Sequence, residues 1–165
     1  MEPMSGYHIR EVIIDTLGHF WHESFGQIYP TLSKAEAAGH VRRLAHGKTS
    51  GSVFELTDAG AQRLRELLLE PDEPARPRNG VLLRLFFGTS LGPAACIELL
   101  RDAERRATFA LERLEAIRSE VAHEVDAGAR YRMLTVTYGI TVSRAQRDWA
   151  RESIAVLKMS SDQRS

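Results

Sequence analysis

The chain has 165 residues, with 22 Lys and Arg against 22 Asp and Glu, so it carries no formal net charge at pH 7. This length allows one large domain or two small ones with an apolar core. The balanced charge excludes a protein that coats nucleic acid by charge alone, but not one whose charge is confined to one edge. Cys96 is the one cysteine, so no intrachain disulfide can form and we expect a reducing cytoplasm.

The first residues predict a helix from Ser5 to about Leu17, which Gly18 ends. Ser5 and Tyr7 lie at its start, where free backbone amides favour a phosphate group. We therefore count both among the candidate phosphate contacts. The apolar face of the helix recurs at helical spacing: Ile9, Val12, Ile13 and Leu17.

The stretch from Ser24 to Gly39 predicts the helix around which the chain is organised. Ser24 and Gln27 have the spacing of a capping box, and Gly39 ends the helix as a C′ residue would. Such a helix could lie in a DNA major groove, although an ordinary surface helix has the same pattern. One side is a narrow apolar stripe and the other is polar or flat: Ile28, Leu32 and Ala35 against Gln27, Tyr29, Pro30, Ser33 and Lys34.

A β-hairpin is predicted after this helix, with strands at 41–44 and 53–56 around a polar tip. Thr57 then caps another helix, so the order helix, hairpin, helix is that of a winged helix-turn-helix. The wing tip would contact phosphates or a minor groove. The alternative is an ordinary solvated hairpin. The cations of the hairpin lie in a window, residues 40–54, without acidic side chains: Arg42, Arg43 and Lys48.

The predicted fold is mainly α with a small β-hairpin wing, followed by a C-terminal antiparallel helical dimerisation domain. Residues 1–69 form the winged domain, and three prolines make 70–79 a linker. Residues 80–165 are helical throughout, with a break near Thr89 to Pro93. We expect their helices at about 80–87, 93–126 and 129–158.

Heptad spacing over much of the long middle helix predicts a coiled coil. Its seam is a set of apolar and small residues: Leu100, Ala103, Ala107, Ala110, Leu114, Ile117 and Val121. These residues would contact either a partner subunit or the last helix of the same chain, and both arrangements stay open.

The last helix carries aromatic residues on one face. We count Trp149 with the dimer interface, and Tyr131, Tyr138 and Trp149 would line an effector pocket between the last helices and the winged domain. The alternative is that they are ordinary core and interface residues. The rest of the face is apolar: Leu134, Val142, Ala145 and Val156.

The sequence lacks the motifs of common enzymes, such as a Gly-rich phosphate loop or a nucleophile elbow. His19 and His22 have a spacing that suits a metal on a helix, but two histidines without a third ligand make a poor zinc site. No stretch predicts a membrane span, and the N-terminus lacks the features of a signal peptide. We therefore expect no enzyme activity, no metal, no cofactor and no membrane partner.

Several motifs, in this order, resemble the PadR-like transcriptional regulators, in the branch with a long helical C-terminal domain. They are Met4–Tyr7, Leu17–Trp21, Gly26–Leu32 and Leu56–Gly60, with looser similarity at 82–87 and 138–149. The resemblance implies a dimeric DNA-binding regulator, usually a repressor, sometimes relieved by a small molecule. Chains of this family normally place a helix before the Ser-Gly-Tyr motif. Here the sequence starts almost at that motif, so we expect a late-assigned start, an open domain, or other elements covering the gap.

The resulting hypothesis is a cytoplasmic repressor that binds a pseudo-palindromic operator in double-stranded DNA as a two-fold homodimer. Gln27 would bond a base edge, and Tyr29 and Ser33 would bond bases or phosphates. Half-sites would lie ~34 Å apart or a multiple of this distance, and a small aromatic effector would weaken binding by population shift. The proposed phosphate contacts are Ser5, Tyr7, Ser24, Lys34, Arg42 and Lys48. The rival hypothesis is a helical protein-interaction module whose degenerate winged helix no longer binds DNA.

Overall fold

The computed structural model describes residues 2–14, 18, 25–44, 51–71 and 78–162. The chain divides into two compact units, Met1–Ala75 and Arg76–Ser165. The predicted fold class, mostly helical with a small antiparallel sheet, is confirmed. The first unit contains β1 (Met4–Ser5), α1 (Gly6–Val12), a 3-10 turn (Phe25–Gln27), α2 (Ile28–Ala37), β2 (Val41–Arg43), β3 (Val53–Leu56) and α3 (Asp58–Leu69).

The sheet has three antiparallel strands in the order β1-β3-β2. The two strands of the predicted hairpin pair with Val41 opposite Leu56 and Arg43 opposite Phe54. The N-terminal strand β1, which the sequence did not predict, adds Met4 opposite Phe54 on the other edge of β3. Phe54 is buried, so the start of the chain is tied to the base of the wing.

Of the two helices before the wing, the first begins as predicted and the second begins later than predicted. Ser5 caps α1 through a hydrogen bond that its Oγ accepts from the His8 amide (3.1 Å), and the α-helix over Gly6–Val12 continues as a π turn at 13–14. Its predicted end at Leu17 lies outside the described residues. The second α-helix begins at Ile28 after the 3-10 turn, not at Ser24, which lies outside the described residues.

The end of α2 agrees with prediction. Gly39 has a φ of +73°, and its amide donates to the Glu36 carbonyl (3.0 Å). The His40 amide donates to the Ala35 carbonyl (2.8 Å). This pair of bonds is a Schellman motif, whose left-handed C′ position favours glycine.

The junction between α2 and α3 is built around the His40 carbonyl. This oxygen accepts a hydrogen bond from the Thr57 amide (3.1 Å). The Thr57 hydroxyl donates to the Gly39 carbonyl (2.7 Å) and lies 3.1 Å from the His40 carbonyl, while its Oγ1 accepts from the Gly60 amide (3.0 Å). A Cβ on Gly60 would lie 1.9 Å from the same carbonyl oxygen. The Leu56–Gly60 motif therefore combines a helix cap with a close backbone approach that only glycine allows.

The second unit consists of α4 (Gly80–Phe86), α5 (Gly88–Leu91), α6 (Pro93–Val121) and α7 (Ala129–Asp162). Asn79 caps α4 as predicted, because its Oδ1 accepts from the amides of Val81 (3.0 Å) and Leu82 (3.1 Å). The predicted break near Thr89 is instead the one-turn helix α5, which ends at Gly92 with a φ of +82°. The predicted boundary near residue 126 was also wrong, since α6 ends at Val121.

The core of this unit lies between α6 and α7. One cluster joins Leu111 and Leu114 to Val136 and Ile140, and Ile117 packs against it. A second cluster contains Leu100, Ala150 and Ile154, with Leu85 of α4 packed against it.

The turn between α6 and α7 is held by an ionic cluster around Arg132. Its Nε lies 2.8 Å from Glu124 Oε2, and Arg132 also pairs with Asp126. The Gly128 amide donates to Asp126 Oδ1 (2.7 Å). This amide and the Arg132 guanidinium hold the pKa of Asp126 below its usual value, because both stabilise the carboxylate. Among the described helices, none is long and apolar enough to cross a membrane.

Candidate nucleic-acid interface

The helix α2 has one buried edge and a largely polar exposed side. Ile28 is buried, and Leu32 and Ala35 are half-buried. Gln27, in the 3-10 turn, and Ser33 and Lys34, in α2, are exposed, with the intervening exposed positions Pro30 and Thr31. The exposed side offers one amide, two hydroxyls and one cation, all of which can bond base edges or phosphates.

Tyr29 also packs inside the unit. A Cβ on Gly6 would lie 2.7 Å from Tyr29 Cε1, so the phenol ring lies directly on the backbone where α1 begins. Tyr29 is half-buried and Gly6 is buried. Gly6 of the Ser-Gly-Tyr motif thus allows the Tyr29 ring on α2 to approach the start of α1.

The two arginines of β2 have different partners. Arg42 donates from Nε to Glu55 Oε2 (2.6 Å), across the ladder, and its side chain remains 68% exposed. Arg43 forms a two-pronged pair with Glu36 of α2, with Nε–Oε1 at 3.1 Å and Nη2–Oε2 at 2.8 Å. The hydrogen bonds to Glu36 are the main reason that the pKa of Arg43 is raised.

Arg43 makes two further contacts. Its Nη1 donates to Ser52 Oγ (3.0 Å), and Ser52 is fully buried. Its guanidinium carbon lies 4.9 Å from the centre of the Phe54 ring. Arg43 therefore contacts the C-terminal half of α2 and both ends of the Ser52–Phe54 segment.

Acidic side chains lie close to both arginines of the sequence window 40–54, although the window itself contains none. Glu36 and Glu55 lie just outside it in the chain, yet they pair with Arg43 and Arg42. The hairpin register, which places Arg42 opposite Glu55, could have indicated the second pair. No local pattern indicated the first.

The N-terminal candidates lie on the same unit. Ser5 uses its Oγ as a helix cap, and Tyr7 is exposed. Ser24, Lys48, His19 and His22 lie outside the described residues. In the described part of the chain, no group of three His, Cys, Asp or Glu side chains could hold a metal ion.

Comparisons with known proteins agree with this arrangement. The family model described as Transcriptional regulator PadR-like family matches residues 1–66. The model described as Virulence activator alpha C-term matches residues 77–158. Over residues 1–66 the chain therefore resembles the PadR-like family of transcriptional regulators. Proteins of this family are regulators rather than enzymes.

Full-length relatives of this PadR-like protein are similar over nearly their whole chains. A probable transcriptional regulator of Mycobacterium tuberculosis is 25% identical over 173 residues, which cover 95% of this chain and 92% of that protein. A PadR-like regulator from Bacillus cereus has a TM-score of 0.82 at 23% identity, over 96% of this chain and 92% of that one.

Bacillus subtilis PadR has the same fold. Its structure in complex with operator DNA gives a TM-score of 0.76 at 23% identity, over 94% of this chain and 91% of that one. Its structure in complex with p-coumaric acid gives 0.74 at 21% identity, over 94% and 91%. At these identities the likeness shows the shared fold.

The heptad residues of α6 are largely buried by contacts within a single subunit. Leu100, Ala107, Leu114 and Val121 are buried, and Ala103, Ala110 and Ile117 are half-buried. Leu100 and Leu114 belong to the clusters shared with α7. Packing against the last helix of the same chain, the alternative left open by the sequence, accounts for this burial.

The aromatic residues of α7 lie on the opposite side of that helix from its core residues. Tyr131 is 69% exposed, Tyr138 61% and Trp149 37%. They belong to a line of residues at spacings of three, four and finally seven, which we call the outer stripe: Tyr131, Leu134, Tyr138, Val142, Ala145, Trp149 and Val156.

Proposed function

We propose that this protein is a transcriptional repressor that binds a pseudo-palindromic operator as a two-fold dimer. The observation that carries the proposal is the polar exposed side of α2, held by a narrow apolar edge beside a β-hairpin wing. The known complex of Bacillus subtilis PadR with operator DNA supports it. Binding to DNA would place the protein in the cytoplasm.

The proposed contacts divide into two classes. Gln27 would bond a base edge, and Ser33 would bond a base or a phosphate. Tyr29 remains a proposed contact to a base or a phosphate, although its Cε1, Cζ and hydroxyl oxygen all lie against Gly6. Phosphate contacts would come from the start of α1, the recognition helix and the wing: Ser5, Tyr7, Ser24, Lys34, Arg42 and Lys48.

Binding of labelled DNA from upstream of the gene, followed by fluorescence anisotropy at several salt concentrations, tests this function. We expect tighter binding to that DNA than to an unrelated duplex, and a linear fall of log K with log salt. Equal, weak binding to both duplexes by an intact dimer would instead favour the protein-interaction module.

The outer stripe of α7 is the proposed dimer interface. Soluble monomeric proteins rarely expose a large contiguous apolar surface, so such a surface indicates contact with a partner. The stripe is roughly 37 Å long from Tyr131 to Val156 at the usual rise per residue. Exposed apolar residues on α4, on α5 and between them offer further contact area in the same unit: Leu82, Leu83, Phe86, Phe87 and Leu91.

An antiparallel two-fold axis between Val142 and Ala145 would pair six of the seven stripe residues, and the seventh, Leu134, would face Ser153. Tyr138 precedes Val142 by as many residues as Trp149 follows Ala145, and Tyr131 and Val156 are related in the same way. The centre of the contact is therefore small, and an aromatic pair flanks it on each side.

Disulfide cross-linking tests this geometry. In a Cys96→Ala background, chains carrying Tyr131→Cys would be mixed with chains carrying Val156→Cys. The antiparallel pairing predicts a disulfide only in the mixture, because like positions would lie roughly 37 Å apart. Disulfides that form within each chain type alone would indicate parallel helices. Glu112→Cys, at an exposed position of α6, is the control for disulfides formed by random collision.

An effector would act on the spacing of the two recognition helices. Bacillus subtilis PadR binds p-coumaric acid, and Tyr131, Tyr138 and Trp149 were candidates for an aromatic pocket. We assign these side chains first to the dimer stripe, so a small aromatic acid would need a higher affinity for one dimer geometry to shift the population. Release of bound DNA by p-coumaric acid, but not by an aliphatic acid, would support this control.

A further inference from the structure

Arg43 connects the recognition helix to the wing. Its guanidinium meets both carboxylate oxygens of Glu36 on α2, the hydroxyl of Ser52 before β3, and the face of the Phe54 ring on β3. Ser52 and Phe54 are buried, and Phe54 is the residue opposite Arg43 in the ladder. Three contacts therefore fix one planar group between two elements.

The chemistry of the pair favours orientation over stability. A two-pronged arginine–carboxylate pair has defined geometry, which lysine cannot reproduce. Both side chains are about one-third exposed, and pairs of this exposure add little to the free energy of unfolding. The lasting effect of the pair is thus on the angle between α2 and the β-hairpin.

We propose that Arg43 and Glu36 are positioning residues that set the angle between the recognition helix and the wing, so that both elements contact the same operator. This inference rests on the proposed DNA-binding function. It assigns Arg43, which by sequence alone is one more wing cation, to a role inside the protein, and it assigns a favourable role to an acidic residue on the DNA-binding helix.

The negative charge of Glu36 allows a positioning role to be distinguished from a simple effect of charge on DNA affinity. By charge alone, removing Glu36 would strengthen DNA binding, because a carboxylate repels phosphates. By positioning, removing Glu36 frees Arg43 and loosens the angle, so operator affinity falls. The two explanations therefore predict opposite changes for Glu36→Gln.

The test uses the full chain and the same labelled upstream DNA, with an unrelated duplex beside it. We expect Glu36→Gln and Arg43→Lys each to weaken operator binding by about tenfold, the size of one lost base contact, and to leave binding to unrelated duplex as strong or stronger. Arg43→Lys keeps the charge, so the slope of log K against log salt should not change. Arg63→Lys on α3 is the matched control, because it alters another arginine–carboxylate pair of the same unit (Nη1–Glu66 Oε2, 3.2 Å) that is not among the proposed DNA contacts, and it should keep operator affinity.

Thermal unfolding separates positioning from loss of fold, and all three variants should unfold near the wild-type temperature. Tighter operator binding by Glu36→Gln, or unchanged operator binding by Arg43→Lys, would overturn the positioning role while leaving the DNA-binding function intact. Absence of specific binding by the wild-type protein would instead refute the proposed function itself. A variant that loses operator and unrelated duplex equally would also count against positioning.

Discussion

Single glycines decide how closely the elements of the winged unit approach each other. Gly60 and Gly6 both lie in the motifs that indicated the family, and each faces a neighbour that a Cβ would strike. At Gly60 this neighbour is the backbone carbonyl of His40, which cannot move without breaking its hydrogen bond from the Thr57 amide. The motif is therefore explained by packing, independently of any contact to DNA.

Gly60→Ala should destabilise the protein by about 1–3 kcal/mol or more, because the added methyl forces α3 away from His40. The matched control is Gly80→Ala, where nothing lies within 4 Å of the added Cβ. That substitution should be neutral or slightly stabilising, since alanine has the higher helix propensity. Urea unfolding of both variants measures the difference, and equal stability would contradict the close approach.

Gly6→Ala should be destabilising in the wild-type background and nearly harmless when Tyr29 is also changed to Ala. The reason is that the added Cβ meets only the Tyr29 ring among the atoms nearest to it. A double-mutant cycle in urea measures this coupling, which for residues in contact is about 0.5–3 kcal/mol. Additive effects of the two substitutions would show that the ring does not lie on Gly6.

Gln27→Ala and Lys34→Ala should affect DNA binding in different ways. Loss of a base contact relaxes sequence preference by about 1–3 kcal/mol and leaves binding to unrelated duplex unchanged. Loss of a phosphate contact weakens binding to all duplexes alike and lowers the salt slope by about one unit. Anisotropy titrations on both duplexes distinguish them, and an equal loss on every duplex for Gln27→Ala would remove it from the base contacts.

At the scale of elements, the turn between α6 and α7 should show a characteristic pH dependence. The folded-state pKa of Asp126 is lowered, first by the Gly128 amide and then by Arg132. Its contribution to stability is therefore present above the unfolded pKa of about 3.9 and is lost as the pH falls through the lower folded value.

Asp126→Asn should accordingly destabilise the protein at pH 5–7, and the deficit should shrink below about pH 4 as the wild-type carboxylate becomes protonated. Urea unfolding from pH 7 to pH 3 provides the measurement. Glu120→Gln, on an exposed part of α6, controls for a general change of charge. A deficit that stays constant down to pH 3 would argue against the role of the carboxylate.

Elements that depend on local chemistry could be predicted, and those that depend on distant contacts could not. Gly39, Thr57 and Asn79 end or cap helices as expected, because each acts on backbone groups within a few residues. The change from α-helix to π turn after Val12 had no sequence signal. Strand β1 is only two residues long and exists because β3 offers a free edge, so no periodicity could reveal it.

The same distinction applies to the candidate site. The exposed side of α2 followed from helical spacing, and Lys34 and Gln27 lie on it as expected. The partners of Arg42 and Arg43 lie on β3 and on α2. The acid-free window of the sequence therefore wrongly indicated that the charges of these arginines have no acidic partner. For the α6 heptads the sequence defined the seam but could not say which helix fills it, since two helices of one chain and two chains satisfy the same spacing.

For the whole molecule, the proposed two-fold dimer makes a prediction about the operator. Half-sites should lie ~34 Å apart or a multiple of this distance. Insertion of about five base pairs between them turns one half-site to the opposite face of the duplex, so affinity should fall to that of a single half-site. Anisotropy with natural and lengthened operators tests this, and equal affinity for both would mean that each subunit binds alone.

The outer stripe on α7 also determines how the proposed dimer would respond to the amount of protein in the cell. In the proposed dimer, a subunit that exposes Tyr131, Tyr138 and Val156 when alone would gain stability from association, so its unfolding temperature should rise with protein concentration. Below the dissociation constant of the dimer, the number of DNA-competent dimers grows with the square of the subunit number. A cell that halves its supply of this chain would then lose about three-quarters of its dimers by the same mass action. The promoter would thus respond steeply to synthesis of its regulator, even without any effector.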